Sequence, residues 1–336
     1  MHNSNNTMEH RNSLQAGYVL REFTINRILG QGGTGITYLA HDNKLKRNVA
    51  IKEYLPMEMA VRNSTNSWIE PVSGEYGESF SSGLGRFMRE AETLAQLWHP
   101  NIVRAHGVFS ENNTAYIVMD YCAGVTLDIM LRNRNKLNQS EFLNIMLPIM
   151  DGLEYMHDNG YIHRDIKPAN LFIQDNGEPL ILDFGSTRES LIGQTGLMTR
   201  MVSPGYAPFE QYTGKKFNQG PWTDIYGLGA TMYKSISGRA PADAMDRGNA
   251  LLLTDKDIYV SLLDINPPGY SGNILRAIDQ SLAFKPSNRP SYIADWRLAF
   301  ESGAILDRDV TGLPHHEISG GKIYSHVEAE AVTVCK

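Results

Sequence analysis

The feature that most constrains this chain is a change of hydrophobic period near Tyr121, about a third of the way along its 336 residues. Before that point apolar residues fall in short β-branched and aromatic runs broken by glycine. After it they recur at the three-to-four-residue spacing of helices. From Tyr18, "YVLREFTINRILGQGGTGITYLAHD" reads as strand, glycine-rich turn, strand, and "NVAIKEYL" as a third strand. "NIVRAHGVFSENNTAYIVMDY" reads as two strands around an Asn112-Asn113 turn. One helix interrupts these strands. Phe87, Glu90, Ala91, Leu94 and Leu97 keep a helical period from Leu84 onward, and Pro100 lies just beyond its end. In the second part, residues 138–158 put Phe142, Ile145, Ile149, Leu153 and Met156 on one face. Asn138 and Glu141 form a candidate capping pair, Pro148 is a candidate kink, and Asn159-Gly160 a stop. Further helices are expected at 224–237, 272–284 and 291–301. Strands first and helices afterwards give an α+β class.

The segments outside this pattern are also informative. Residues 1–17 are polar and rich in Asn, and are expected to be disordered. Residues 53–83 follow no clean period and are broken by Ser, Asn, Gly and Pro, which predicts a long loop or insertion. The 303–336 tail alternates only weakly, and its role is unknown. Apolar residues at 42% and charged residues at 20% leave enough for a sizeable core. A net charge of −6 without a basic stripe argues against nucleic acid as a partner, because that binding rests on Lys and Arg neutralising phosphates. Cys122 and Cys335 are far apart and outside any CxxC, which fits free thiols in a reducing compartment and no structural metal. No apolar run approaches the ~18 residues that span a bilayer. No secretory leader is visible at the start either, so the expected location is cytoplasmic.

Four segments carry chemistry. Gly30-Gln31-Gly32-Gly33-Thr34-Gly35 can bring backbone N–H groups close to phosphate oxygens, although taken alone it fits a plain glycine-rich hairpin without a ligand better. A dinucleotide fold would need a helix directly after the glycines, and "ITYLA" follows instead. Val49-Ala50-Ile51-Lys52 ends a buried strand on a lysine whose ammonium needs a partner. Glu90, on the inner face of the following helix, is the candidate. His163-Arg164-Asp165-Ile166-Lys167-Pro168-Ala169-Asn170 crowds charge into a loop between apolar elements. There Asp165 can orient or deprotonate a hydroxyl, Lys167 can reach a phosphoryl group, and Asn170 can offer a carbonyl oxygen to a metal. Asp183-Phe184-Gly185 places a hard-metal carboxylate at the end of the run "PLILD".

Taken in chain order, these four segments with the helix Glu90 resemble the protein kinase signature set. The resemblance covers about residues 18–302. It continues in Ala207-Pro208-Phe209-Glu210, which looks like the end of an activation segment written APFE rather than APE, and in "WTDIYGLG" and "KPSNRPS". "AIKEYLP…AVR", "SPGYAPFEQY" and "GPWTDIYGLGAT" look most like the bacterial branch of Hanks-type (eukaryotic-like) Ser/Thr kinases.

The resemblance implies a two-lobed fold: a small antiparallel β lobe with helix C, over 18–121, and a larger, mainly helical lobe over 122–302. It implies ATP between them. Gly30, Gln31, Gly32, Gly33, Thr34 and Gly35 would cover the phosphates, and Lys52, held by Glu90, would contact them. The adenine pocket would involve Thr37, where the pattern usually has Val, with Ala50, Met119 in the gatekeeper place, Asp120, Cys122 and Phe172. Asp183 and Asn170 would hold Mg2+, with Mn2+ as an alternative. Asp165 would serve the acceptor hydroxyl, and Lys167 resembles the Ser/Thr-directed subgroup. Ser203 stands where that subgroup often has Thr. Arg164 would pair with a phosphorylated residue, Thr195 or Thr199. Asp224 would brace the catalytic loop, and Arg289 would pair with Glu210. The expected activity is transfer of the ATP γ-phosphoryl to Ser/Thr hydroxyls of an unknown protein substrate, autophosphorylation included, with homodimerisation an option. The alternative is a pseudokinase-like ATP-binding scaffold. Its usual mark, loss of Lys52, Asp165, Asn170 or Asp183, is absent here. A small-molecule phosphotransferase fits less well with an APE-like segment and Arg289.

Overall fold

A computed structural model describes residues 12–183, 188–189, 203–212 and 219–301. The small lobe is a six-stranded antiparallel sheet. Strands β1 (Val19–Leu20), β2 (Phe23–Gly32), β3 (Gly35–Asp42) and β4 (Arg47–Tyr54) follow in order. After β4 come a two-stranded hairpin, β5 (Ala60–Arg62) and β6 (Ile69–Pro71), and helix α1 (Gly77–Gln96). The chain then returns to the sheet as β7 (Ala105–Glu111) and β8 (Thr114–Asp120), giving the order β1-β2-β3-β4-β8-β7. Asn112 and Asn113 join β7 to β8 with φ of 52° and 56°, the left-handed pair that a tight hairpin needs and that Asn tolerates.

Two expectations for this lobe are corrected. The 53–83 stretch is not a plain loop. It holds the β5–β6 hairpin, and α1 starts at Gly77 rather than near Leu84. Three-residue strands are too short to show a period. The opening "GESFSSGLG" of α1 hides its amphipathic face behind Gly and Ser, although Phe80 and Gly83 are already buried. The N-terminal segment is also ordered earlier than expected. Ser13 and Leu14 are buried, and the Leu14 N–H donates to the Tyr38 hydroxyl at 3.1 Å. One leucine among polar residues gives no periodic signal, so its burial is set by the sheet it meets. Residues 1–11 lie outside the described residues.

The large lobe opens with β9 (Gly124–Thr126), α2 (Leu127–Arg134) and α3 (Gln139–Asp158). Asn138 and Glu141 close a reciprocal capping box on α3, and the helix continues through Pro148. Next come β10 (Tyr161–Ile162), β11 (Leu171–Gln174), β12 (Pro179–Ile181) and β13 (Arg188–Glu189). β11 pairs with both β12 and β9, and β10 with β13. The helices that follow are α4 (Phe209–Tyr212), α5 (Pro221–Ser237), α6 (Ala244–Thr254), α7 (Leu262–Ile265), α8 (Gly272–Ser281) and α9 (Ile293–Glu301). α5 is almost wholly buried and packs against α3 and α8, so it forms the axis of the lobe. Gly238, at φ 86°, ends it in the left-handed cap conformation. Among the described residues no helix is long and apolar enough to cross a membrane.

Candidate active site

The strand pairing of β4 decides where its side chains go. Lys52 pairs with Thr37 on β3 and Ile117 on β8, and Ala50 with Met119. Successive strand residues alternate faces, so Ala50 and Lys52 share one face and Ile51 and Glu53 the other. The Lys52 Nζ lies 3.2 Å from Glu90 Oε1 of α1 and 2.6 Å from Asp183 Oδ1. α1 is held in place partly by Tyr54, whose ring packs 5.4 Å from Phe80 and 5.5 Å from Phe87, while its hydroxyl donates to the Phe80 carbonyl. Burial alone would push the Lys52 ammonium toward the neutral form. Asp183 and Glu90 more than offset it, so its pKa lies above the usual lysine value. The group is a permanent cation placed between two carboxylates.

The loop 163–170 is built around two aspartates. Asp224, in the first turn of α5, is fully buried. It accepts from the backbone N–H groups of His163 at 2.8 Å and Arg164 at 2.6 Å, and from His157 Nε2 at 2.9 Å. Burial raises its pKa, but the His157 bond and charge, with the backbone donors, bring it below the usual carboxylate value. Gly227, one turn on, lets the loop lie directly on the helix, since a β-carbon there would fall 2.9 Å from the Ile166 carbonyl oxygen. Held this way, the loop carries Arg164 at φ 71°, a left-handed conformation that costs a non-glycine residue energy and that the Asp224 bonds maintain.

Asp165 then stands in a small polar cluster. It accepts from Ser203 Oγ at 2.7 Å, from Lys167 Nζ at 2.8 Å and from Asn170 Nδ2 at 3.0 Å. Lys167 bridges to Ser203 Oγ at 2.8 Å. Asp183, at φ 58°, is a second left-handed non-glycine residue. With the Asn170 amide nitrogen engaged by Asp165, its carbonyl oxygen and the Asp183 carboxylate are two hard donors of the kind Mg2+ takes together with phosphates and water. Among the described residues no group of three or more His, Cys, Asp or Glu forms a protein-only metal cage.

The other singled-out residues are placed as follows. Gly30 to Gly35 span the β2–β3 hairpin, and the Thr34 carbonyl accepts from Leu55 N at 3.0 Å. A β-carbon on Gly35 would strike the Glu53 carbonyl oxygen, so this end of the hairpin admits no side chain. Thr37, Ala50, Met119 and Phe172 occupy strands β3, β4, β8 and β11. Cys122 follows β8, its thiol pushed up by burial and by Asp120. The Asp120 side chain turns to His106, at 2.6 Å, and to Arg47. Glu210 and Arg289 form a buried pair at 2.6 Å and 3.2 Å, with Thr223 Oγ1 donating to the same carboxylate. Phe184, Gly185, Thr195 and Thr199 lie outside the described residues.

Sequence reasoning missed four contributors. His157 and His163 hold the 163–170 loop, Gln211 Nε2 donates to the Arg164 carbonyl at 2.7 Å, and Asp243 takes Gly205 N and Tyr212 Oη. Only His163 carried a signal, by lying inside the loop motif.

Comparison with known proteins bears on this arrangement. The protein kinase domain family matches residues 23–297. The chain is 35% identical over 222 residues to the serine/threonine-protein kinase PrkC of Bacillus subtilis, covering 66% of this chain and 31% of PrkC. It is 28% identical over 294 residues to the serine/threonine-protein kinase PknA of a Nostoc species, covering 84% of this chain and 47% of PknA. It thus spans less than half the length of these curated relatives. A solved structure described as the PpkA-294 apo form is similar at 36% identity and a TM-score of 0.76, over 86% of this chain and 99% of that one.

Proposed function

The chain belongs to the protein kinase family, and from that premise we propose that it transfers the γ-phosphoryl group of ATP to serine and threonine hydroxyls of proteins, itself included. The observation that carries this reading is Glu90 at 3.2 Å from Lys52. A scaffold that keeps the catalytic residues but stays silent would hold the helix bearing Glu90 away from Lys52. Here the helix is in place.

Each residue acts by position and charge. Lys52, oriented by Glu90, neutralises nucleotide phosphates beneath the Gly30–Gly35 hairpin. The Asp120 N–H is engaged by the Arg104 carbonyl at 3.0 Å, so adenine is read by other backbone groups of the stretch through Cys122. Asp183 and Asn170 would hold a divalent cation, Mg2+ or Mn2+, which supplies charge neutralisation on the phosphoryl oxygens. Asp165 accepts a hydrogen bond from the acceptor hydroxyl and takes its proton as the new P–O bond forms and the bond to ADP breaks. Ser203 Oγ already donates to Asp165 at 2.7 Å, in the way an acceptor hydroxyl would. Lys167 keeps the neighbouring charge balanced. Positioning and preorganised charge are what phosphoryl transfer chiefly requires. The Ser/Thr preference rests on Lys167 and on the names of the relatives.

Incubation of the purified chain with γ-labelled ATP, a divalent cation and a basic protein acceptor, beside Asp183→Ala, tests this directly. Label on Ser or Thr in the wild type alone is the expected result. ATP binding without any labelling would return the chain to the scaffold reading.

A further inference from the structure

The run Lys52-Glu53-Tyr54-Leu55 at the end of β4 does more than present a lysine. Lys52 faces Glu90 and Asp183, Tyr54 packs on α1, and Leu55 N bonds the Thr34 carbonyl of the glycine hairpin. Glu53 points to the opposite face of the sheet and is completely buried there. Its Oε1 accepts from Tyr116 Oη at 2.6 Å. Its Oε2 accepts from Tyr38 Oη at 2.8 Å and from Arg62 Nη2 at 2.5 Å. Arg62 belongs to the β5–β6 hairpin and is itself almost wholly buried. Its Nε donates to the Asn12 carbonyl and its Nη1 to the Ser67 carbonyl, both at 2.8 Å. Burial and the Glu53 charge push both phenols up, so they remain donors. The knot is fully paired, and its charge is balanced by one residue of the inserted hairpin.

A buried ion pair of this kind adds little net stability over an apolar replacement, but it fixes geometry and is sensitive to loss of one partner. The geometry fixed here is that of the residue next to Lys52, whose own carbonyl oxygen meets Gly35. We propose that Arg62, acting through Glu53, is a positioning residue for phosphoryl transfer. The β5–β6 hairpin holds the end of β4 so that Lys52 and the rim of the glycine hairpin meet the phosphates correctly. This rests on the kinase reading above.

The test uses the full chain with Arg62→Met, Arg62→Lys and Tyr38→Phe. For each, kcat and KM for ATP are measured at saturating acceptor, and the fraction folded at assay temperature is taken from thermal unfolding. Per folded molecule, Arg62→Met should lower kcat about tenfold or more, with KM for ATP within about threefold of wild type, where tenfold corresponds to about 1.4 kcal/mol of barrier. Arg62→Lys keeps a cation beside Glu53 and should recover most of the loss. A folded Arg62→Met with wild-type kcat would overturn the proposal, leaving the knot a brace for stability alone. So would an Arg62→Lys no better than Arg62→Met. Should Arg62→Met not fold, Tyr38→Phe decides. It keeps the ion pair and removes one donor, and should lower kcat about threefold at unchanged KM, a barrier change of under 1 kcal/mol. An unchanged kcat there overturns the proposal. A wild-type chain that binds ATP but transfers nothing sinks the kinase reading itself, a result distinct from normal turnover in the variants.

Discussion

The two lobes each contain a buried cation–carboxylate contact, and they are built in opposite ways. In the large lobe Arg289 meets Glu210 through two nitrogens. It also donates to the carbonyls of Ala283, Phe284 and Trp222, and lies 4.7 Å over the Tyr226 ring. In the cleft Lys52 reaches two carboxylates with a single ammonium, and one of them, Asp183, is 41% exposed. The first contact locks a planar group on every side. The second leaves a single ammonium shared between strand, helix and loop, with one of its carboxylates open to solvent. The difference separates a joint enclosed on every side from one with a solvent-open carboxylate, where an incoming group can compete for the ammonium.

The largest effect should come from the locked joint. Arg289→Met leaves Glu210 buried without its partner and should cost about 3–5 kcal/mol of unfolding free energy, read from denaturant unfolding. Next, Lys52→Met should lower turnover about 10²- to 10³-fold, as removal of one preorganised electrostatic partner does, with a loss of unfolding free energy smaller than that of Arg289→Met. A Lys52→Met chain as destabilised as Arg289→Met would break the comparison. Ser203→Ala is smaller again. It removes one hydroxyl hydrogen bond to a charged, part-exposed partner and should cost at most about 1.5–3 kcal/mol of unfolding free energy, read from denaturant unfolding.

The smallest expected effect is a change in pH dependence at Asp224, which sharpens the comparison through acid. Its folded pKa lies below the unfolded value, so its stabilisation is present above the unfolded value of about 3.9 and lost as pH falls through the folded one. Acid unfolding of Asp224→Asn should therefore be less steep below about pH 4 than that of the wild type.

The parts of the molecule that sequence revealed are those where chemistry or backbone geometry demands a residue type at a fixed place. Asn112-Asn113 announced a hairpin because few side chains accept two left-handed residues in succession. Asn138 and Glu141 announced a helix start because a capping box is local. Asp165, Asn170 and Asp183 stood out as charged or amide groups between apolar runs. What stayed hidden depends on partners distant in the chain. Arg62 shows only as the end of the quoted "AVR" run until Glu53 is placed against it, and Leu14 lies in a segment expected to be disordered until its N–H meets the Tyr38 hydroxyl. α2 and α6 were missed as well. Each starts from a side-chain cap, at Thr126 and Asp243, but neither carries a long apolar stripe.

The knot on the outer face of the small lobe has a kinetic consequence. Arg62 bonds Asn12 across 50 residues, Tyr116 bonds Glu53 across 63, and Tyr18 bonds Asn112 across 94. None of these contacts is local, and loop closure must come before any of them is rewarded. During synthesis from the N-terminus, Arg62 has its own partners, Asn12, Glu53 and Ser67, early, but Glu53 gains its second phenol only once Tyr116 has emerged. The carboxylate that Arg62 balances is therefore fully satisfied only when β8 is in place.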